Sequence, residues 1–79
     1  MEKLHIGESV YLEENREYTV VSIVEKNQEE YIYIVTTNEP YKVKFAKVMY
    51  DNEKINLEIV HNQKLKEELL ALFEKNLKL

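Results

Sequence analysis

Chemistry in this chain has few places to start. His5 and His61 are the only imidazoles and there is no cysteine, so a zinc site would need the fold to bring one or two carboxylates beside two histidines far apart in sequence. His61, next to Asn62, reads more simply as the lead-in to a helix. The lack of cysteine also removes disulfides, thiolate metal centres, iron–sulfur ligation and cysteine nucleophiles. A serine nucleophile would have to be Ser9 or Ser22. Ser22 lies between Val21 and Ile23 in a strand-like run, and neither serine has an elbow around it. Gly7 is the sole glycine, too little for a loop whose backbone amides cradle phosphate. The acid pairs Glu13-Glu14, Glu29-Glu30 and Glu67-Glu68 are adjacent in sequence, so their members point to different sides of a strand or helix and mark no general acid–base pair. The chain is therefore read as non-enzymatic, with no catalytic residue, cofactor or metal expected; a minor enzyme or accessory subunit is the weakest alternative.

Surfaces remain. Lys42, Lys44 and Lys47 flank Tyr41, Phe45 and Tyr50, the mixture of charge and stacking area that single-strand binders use. The competing reading makes these lysines the solvated side of an edge-prone strand, where they discourage pairing with another chain. A net charge of −4 with a single arginine, Arg16, argues against wrapping duplex phosphates, so nucleic acid is the alternative and another protein the expected partner. Six tyrosines in 79 residues favour an interface, since tyrosine offers an apolar ring and a polar tip; Tyr11, Tyr31 and Tyr33 are the candidates for an exposed cluster. Leu70, Leu77 and Leu79 stand beside or beyond the main apolar stripe of the C-terminal segment and are the candidate contact of a homodimer.

The elements that must position these groups follow from periodicity. Val10 and Leu12 share a face in a short first strand over 9–12. Tyr-Thr-Val-Val-Ser-Ile-Val over 18–24 is apolar on both faces, as in a central strand covered on two sides. A polar hairpin loop over 26–30 gives Asn27 the left-handed position, and a third strand over 31–36 sets Tyr31, Tyr33 and Val35 against Ile32 and Ile34. Residues 37–40 turn the chain, with Pro40 at the start of a fourth strand. There Tyr41, Val43 and Phe45 hold one parity, while Val48 and Tyr50 hold the other. A bulge at Ala46-Lys47 would return both sets to one side. After a turn over 51–54, Ile55, Leu57 and Ile59 alternate with Asn56 and Glu58 in a one-sided edge strand. Asn62 is a fitting N-cap for a helix over about 63–76, whose core stripe is Leu65, Leu69, Leu72, Phe73 and Leu77.

At 79 residues the chain is one domain, a β-meander over 1–61 followed by a helix over 62–79. The fold class is α+β: a five-stranded antiparallel meander, curled or partly barrelled, with the amphipathic C-terminal helix over one face. With 44% hydrophobic and 33% charged residues the composition is that of a folded soluble protein. No apolar run approaches the length of a membrane span, and the cytoplasm is the expected compartment. Residues 1–39 hold nine acids and three bases, 40–79 six acids and eight bases. An acidic first half carrying tyrosines suits a protein–protein contact. Lysine, asparagine, isoleucine and tyrosine, all with AT-rich codons, make up 29 of the residues, which suggests a low-GC bacterial or phage origin.

Gly-Glu-Ser-Val-Tyr-Leu at 7–12, Glu-Tyr-Thr-Val-Val-Ser-Ile-Val at 17–24 and Tyr-Ile-Tyr-Ile-Val at 31–35 resemble the opening of SH3-like barrels and of small bacterial and phage proteins that begin this way. The likeness covers roughly the first 50 residues and implies a curled meander. The aromatic groove of a polyproline reader has no counterpart here, since tryptophan is absent, and no functional residue carries over.

Overall fold

A computed structural model describes residues 3–12, 15–52 and 54–77, the side chains of residues 76 and 77 excepted. Five strands, β1 (Ser9–Tyr11), β2 (Glu17–Lys26), β3 (Glu29–Thr36), β4 (Val43–Asp51) and β5 (Lys54–Ile59), precede one helix, α1 (Gln63–Leu77). The strands form one antiparallel sheet in chain order, curled into a half-barrel. Short turns enforce this order. Lys26 pairs with Glu29 across the two-residue turn Asn27-Gln28, whose φ values of 53° and 66° fit the turn geometry that matches strand twist. Asn27 takes the left-handed position its side chain tolerates; Gln28 takes it without that help.

Both faces of the sheet are buried, each differently. Tyr18, Val20, Ile32, Ile34, Ala46 and Val48 close on one another and on Leu4 inside the curl. On the outer face Val24, Tyr31 and Val60 pack against Leu69 and Phe73 of α1, flanked by Tyr33, Phe45, Leu65 and Leu72. The helix starts as its sequence requires: the Asn62 side-chain carbonyl accepts the Leu65 N–H at 2.9 Å, satisfying a donor that the first turn leaves unpaired. A Lys26–Glu68 ion pair at 3.7 Å links the helix to the end of β2.

The bulge expected at Ala46-Lys47 is absent. β4 pairs without interruption with β3 from Val43 to Val48 and with β5 from Ala46 to Asp51. Phe45 and Val48 therefore face opposite sides. Their change of parity records a strand buried on both faces, Phe45 under α1 and Ala46 and Val48 within the curl. The register shift occurs instead in β2, between Val20 and Ser22. It leaves Val21 as the extra residue, so Tyr18 and Val20 before it and Ile23 after it all reach the inner cluster, while Val24 turns outward. A bulge of this kind increases local twist and suits a curling sheet.

β4 also begins later than its apolar pattern suggests. Tyr41 and Val43 are 66% and 56% exposed and do not continue the Phe45 face into the core. Residues 37–42 form a loop containing a cis Glu39–Pro40 bond. Arg16 donates to the carbonyls of Asn38 at 3.3 Å and Pro40 at 2.7 Å, and Thr36 Oγ1 accepts the Lys42 N–H at 2.8 Å. The one arginine is thus spent on holding a loop.

A candidate interaction cleft between open strand edges

β1 and β5 are the outer strands of the sheet. A cleft of about 770 Å³ opens beside them, lined by Leu4, Val10 and Leu12 from the N-terminal side and by Ile55, Leu57 and Ile59 from β5. Val10 and Leu12 on one side and Ile55, Leu57 and Ile59 on the other are left partly uncovered because the curl stops short of closure, whereas Leu4 is buried in the inner core. Lys44, Glu58, His61 and Tyr11 also line the cleft. Lys44 Nζ stands 5.9 Å from the centre of the buried Tyr18 ring, within cation–π range. The arrangement offers apolar area and strand backbone for recognition. Among the described residues no group of three or more histidine, aspartate and glutamate side chains is placed to hold a metal ion.

The tyrosine trio is dispersed. Tyr11 is 63% exposed, whereas Tyr31 is buried and Tyr33 lies under α1, its ring edge-on to Phe45 at 5.1 Å and to Phe73 at 5.4 Å. Phe45 and Phe73 stack at 5.4 Å. The odd positions of β3 face the helix, so Tyr31 and Tyr33 build the outer core and form no exposed cluster with Tyr11. Strand alternation likewise divides the lysines. Lys44 lies opposite Ile34 on the inner face and Lys47 opposite Tyr31 on the outer one, while Lys42 precedes the strand on the exposed loop. They share no single surface. Leu70 is 43% exposed on α1; the Leu77 side chain and Leu79 lie outside the described residues.

Two polar networks flank the core. On the outer face Lys47 Nζ meets Glu29 Oε1 at 2.7 Å and the Tyr31 hydroxyl donates to Glu29 Oε2 at 3.0 Å. The Lys47 bond first, then the Tyr31 bond, holds the Glu29 carboxyl below its ordinary pKa, and the same pairing lifts that of Lys47. On the inner face the Tyr50 hydroxyl donates to Glu30 Oε2 at 2.5 Å and accepts the Leu4 N–H at 3.4 Å. Burial, then the Glu30 bond, raises the Tyr50 pKa. This network ties the N-terminal segment, and with it Leu4, to one end of the cleft. Sequence reasoning missed the cleft because it depends on two edges that are remote in the chain; the alternation of Ile55, Leu57 and Ile59 and the shared face of Val10 and Leu12 were its visible signs.

No family model, curated protein or solved structure matches the chain.

Proposed function

We propose that this protein is a small non-enzymatic interaction module, a curled SH3-like meander working in the cytoplasm of a bacterial or phage-infected cell, whose cleft between β1 and β5 receives an extended segment of another protein chain. One observation carries the reading: apolar side chains of two sheet edges line an open cleft. Strand edges present unpaired backbone donors and acceptors that an added strand satisfies, and alternate side chains of that strand would rest on Leu4, Val10, Leu12, Ile55, Leu57 and Ile59. Among the described residues no helix is long and apolar enough to cross a membrane.

The test is peptide selection followed by NMR. Random peptides displayed on phage are panned on the immobilised protein, and synthetic versions of those selected are titrated into labelled protein. The reading expects alternating apolar sequences that shift resonances of β1, β5 and Leu4. Selected peptides that shift only the α1 face would contradict it. A polythymidine oligonucleotide at low salt supplies the contrast: binding that is lost in a Lys42/Lys44/Lys47 triple alanine variant would favour the nucleic-acid alternative.

A further inference from the structure

The β5 edge has a particular chemistry. The Val60 N–H donates to the Phe45 carbonyl at 2.9 Å, continuing the ladder in which Lys47 lies opposite Glu58, Met49 opposite Asn56 and Asp51 opposite Lys54. Backbone groups along an antiparallel strand alternate between the partner and the far side. With residue 60 bonded to β4, the even positions 54, 56 and 58 face β4, and Ile55, Leu57 and Ile59 turn their N–H and C=O groups outward. Edges are commonly blunted by proline, a bulge, extreme shortness or charged side chains of one sign; the two charges of β5, Lys54 and Glu58, are of opposite sign. β5 has six residues, no proline and an unbroken register.

Its side chains are self-complementary. Resting on the interaction reading above, we infer that β5 pairs antiparallel with β5 of a second copy about a two-fold axis at Asn56. Residues 54–58 read Lys-Ile-Asn-Leu-Glu, a pattern that an antiparallel two-fold maps onto its own complement. Lys54 of each copy comes opposite Glu58 of the other, Ile55 opposite Leu57, and Asn56 opposite Asn56. The outward backbone groups of Ile55 and Leu57 then exchange hydrogen bonds across the axis, and the side chains of the Lys54–Glu58 and Asn56–Asn56 pairs fall at the closer, non-hydrogen-bonded spacing. On the inner face Ile55, 37% exposed, gains an apolar neighbour, and the inner core runs on across the boundary. Lys54, Asn56 and Glu58 are all exposed; within one copy Lys54 lies opposite Asp51 and Glu58 opposite Lys47, and the two-fold adds a second neighbour of opposite charge to each. A two-fold at Leu57 would instead set Lys54 against Val60 and Glu58 against Asn56, and would lose the direct charge pairs.

Sedimentation equilibrium over a wide concentration range tests this, with circular dichroism confirming that each variant folds. The unaltered chain is expected to pass from a 9.5 kDa monomer to a dimer. Lys54→Glu and Glu58→Lys each place like charges opposite at two symmetric positions across the axis and should weaken the dimer roughly tenfold. Each also faces a like charge within its own copy, Asp51 or Lys47. The double variant keeps that cost while its cross-axis pairs are restored, so the interface alone is reported by its recovery of the dimer. Ile55→Lys should also weaken it, whereas Leu70→Lys should leave it unchanged. A monomer at every concentration, a dimer indifferent to the charge reversals and to Ile55→Lys, or failure of the double variant to recover would overturn the inference. If the chain stays monomeric while selected peptides still shift β1 and β5, self-pairing fails and the interaction reading stands; if such peptides bind elsewhere, both fail.

Discussion

Phe73 is fully buried and is stacked on Phe45 while Tyr33 stands edge-on to both rings. Truncating it removes the centre of the outer core, so Phe73→Ala should cost about 3–5 kcal/mol, a large part of what a small domain has; urea unfolding measures it. Tyr50 gives a pH prediction. Its folded-state pKa lies above the ordinary tyrosine value, so its contribution is complete below about pH 10 and is lost as pH climbs from there through the raised value, because the unfolded chain ionises first. Tyr31 shifts the same way, through burial first and then its bond to Glu29. The melting temperature should fall above about pH 10, and less steeply in Tyr50→Phe; an unchanged slope would show that the Glu30–Tyr50–Leu4 network contributes nothing. At this scale the sequence was partly legible. Ser22 is a buried strand residue, as its apolar neighbours suggest, and Asn27 takes the left-handed position. Tyr31 and Tyr33 were misplaced, since both faces of β3 are apolar and nothing local says which one the helix covers.

The helix was the most legible element, because its cap and its stripe are both local signals and agree. Asn62→Ala should remove about 1 kcal/mol through the lost cap, readable as a lowered urea midpoint. Turns were legible where asparagine stood and obscure where it did not. Gln28 has a φ of 66° without the short polar side chain that eases the left-handed region, so Gln28→Gly should stabilise the domain by about 1 kcal/mol; an unchanged or lower midpoint would count against that account of the turn. The bulge was hidden for a plain reason. From Val20 to Val24 every residue but Ser22 is apolar, so a slip of one position at Val21 leaves no break in the pattern. In β4 the visible break in parity marked two buried faces. A change of apolar phase therefore distinguishes a bulge from two-sided burial only when the second layer is known.

At the scale of the whole molecule the sheet does not close, and β1 and β5 remain its outer strands. The five-strand meander with its C-terminal helix was readable from alternation and turn spacing. The cleft was not, because edge geometry depends on how far the sheet curls, which is set by twist and by the bulge in β2. The outward backbone of β5 is the proposed docking place for another strand. Amide hydrogen exchange read residue by residue, at low and at high protein concentration, tests it most directly. Asn56 and Glu58 donate toward β4 and should be protected at both concentrations. The Ile55 and Leu57 amides should exchange rapidly when dilute and become protected as concentration rises. Rapid exchange of Ile55 and Leu57 at both concentrations, with Asn56 and Glu58 protected throughout, would contradict the self-paired edge.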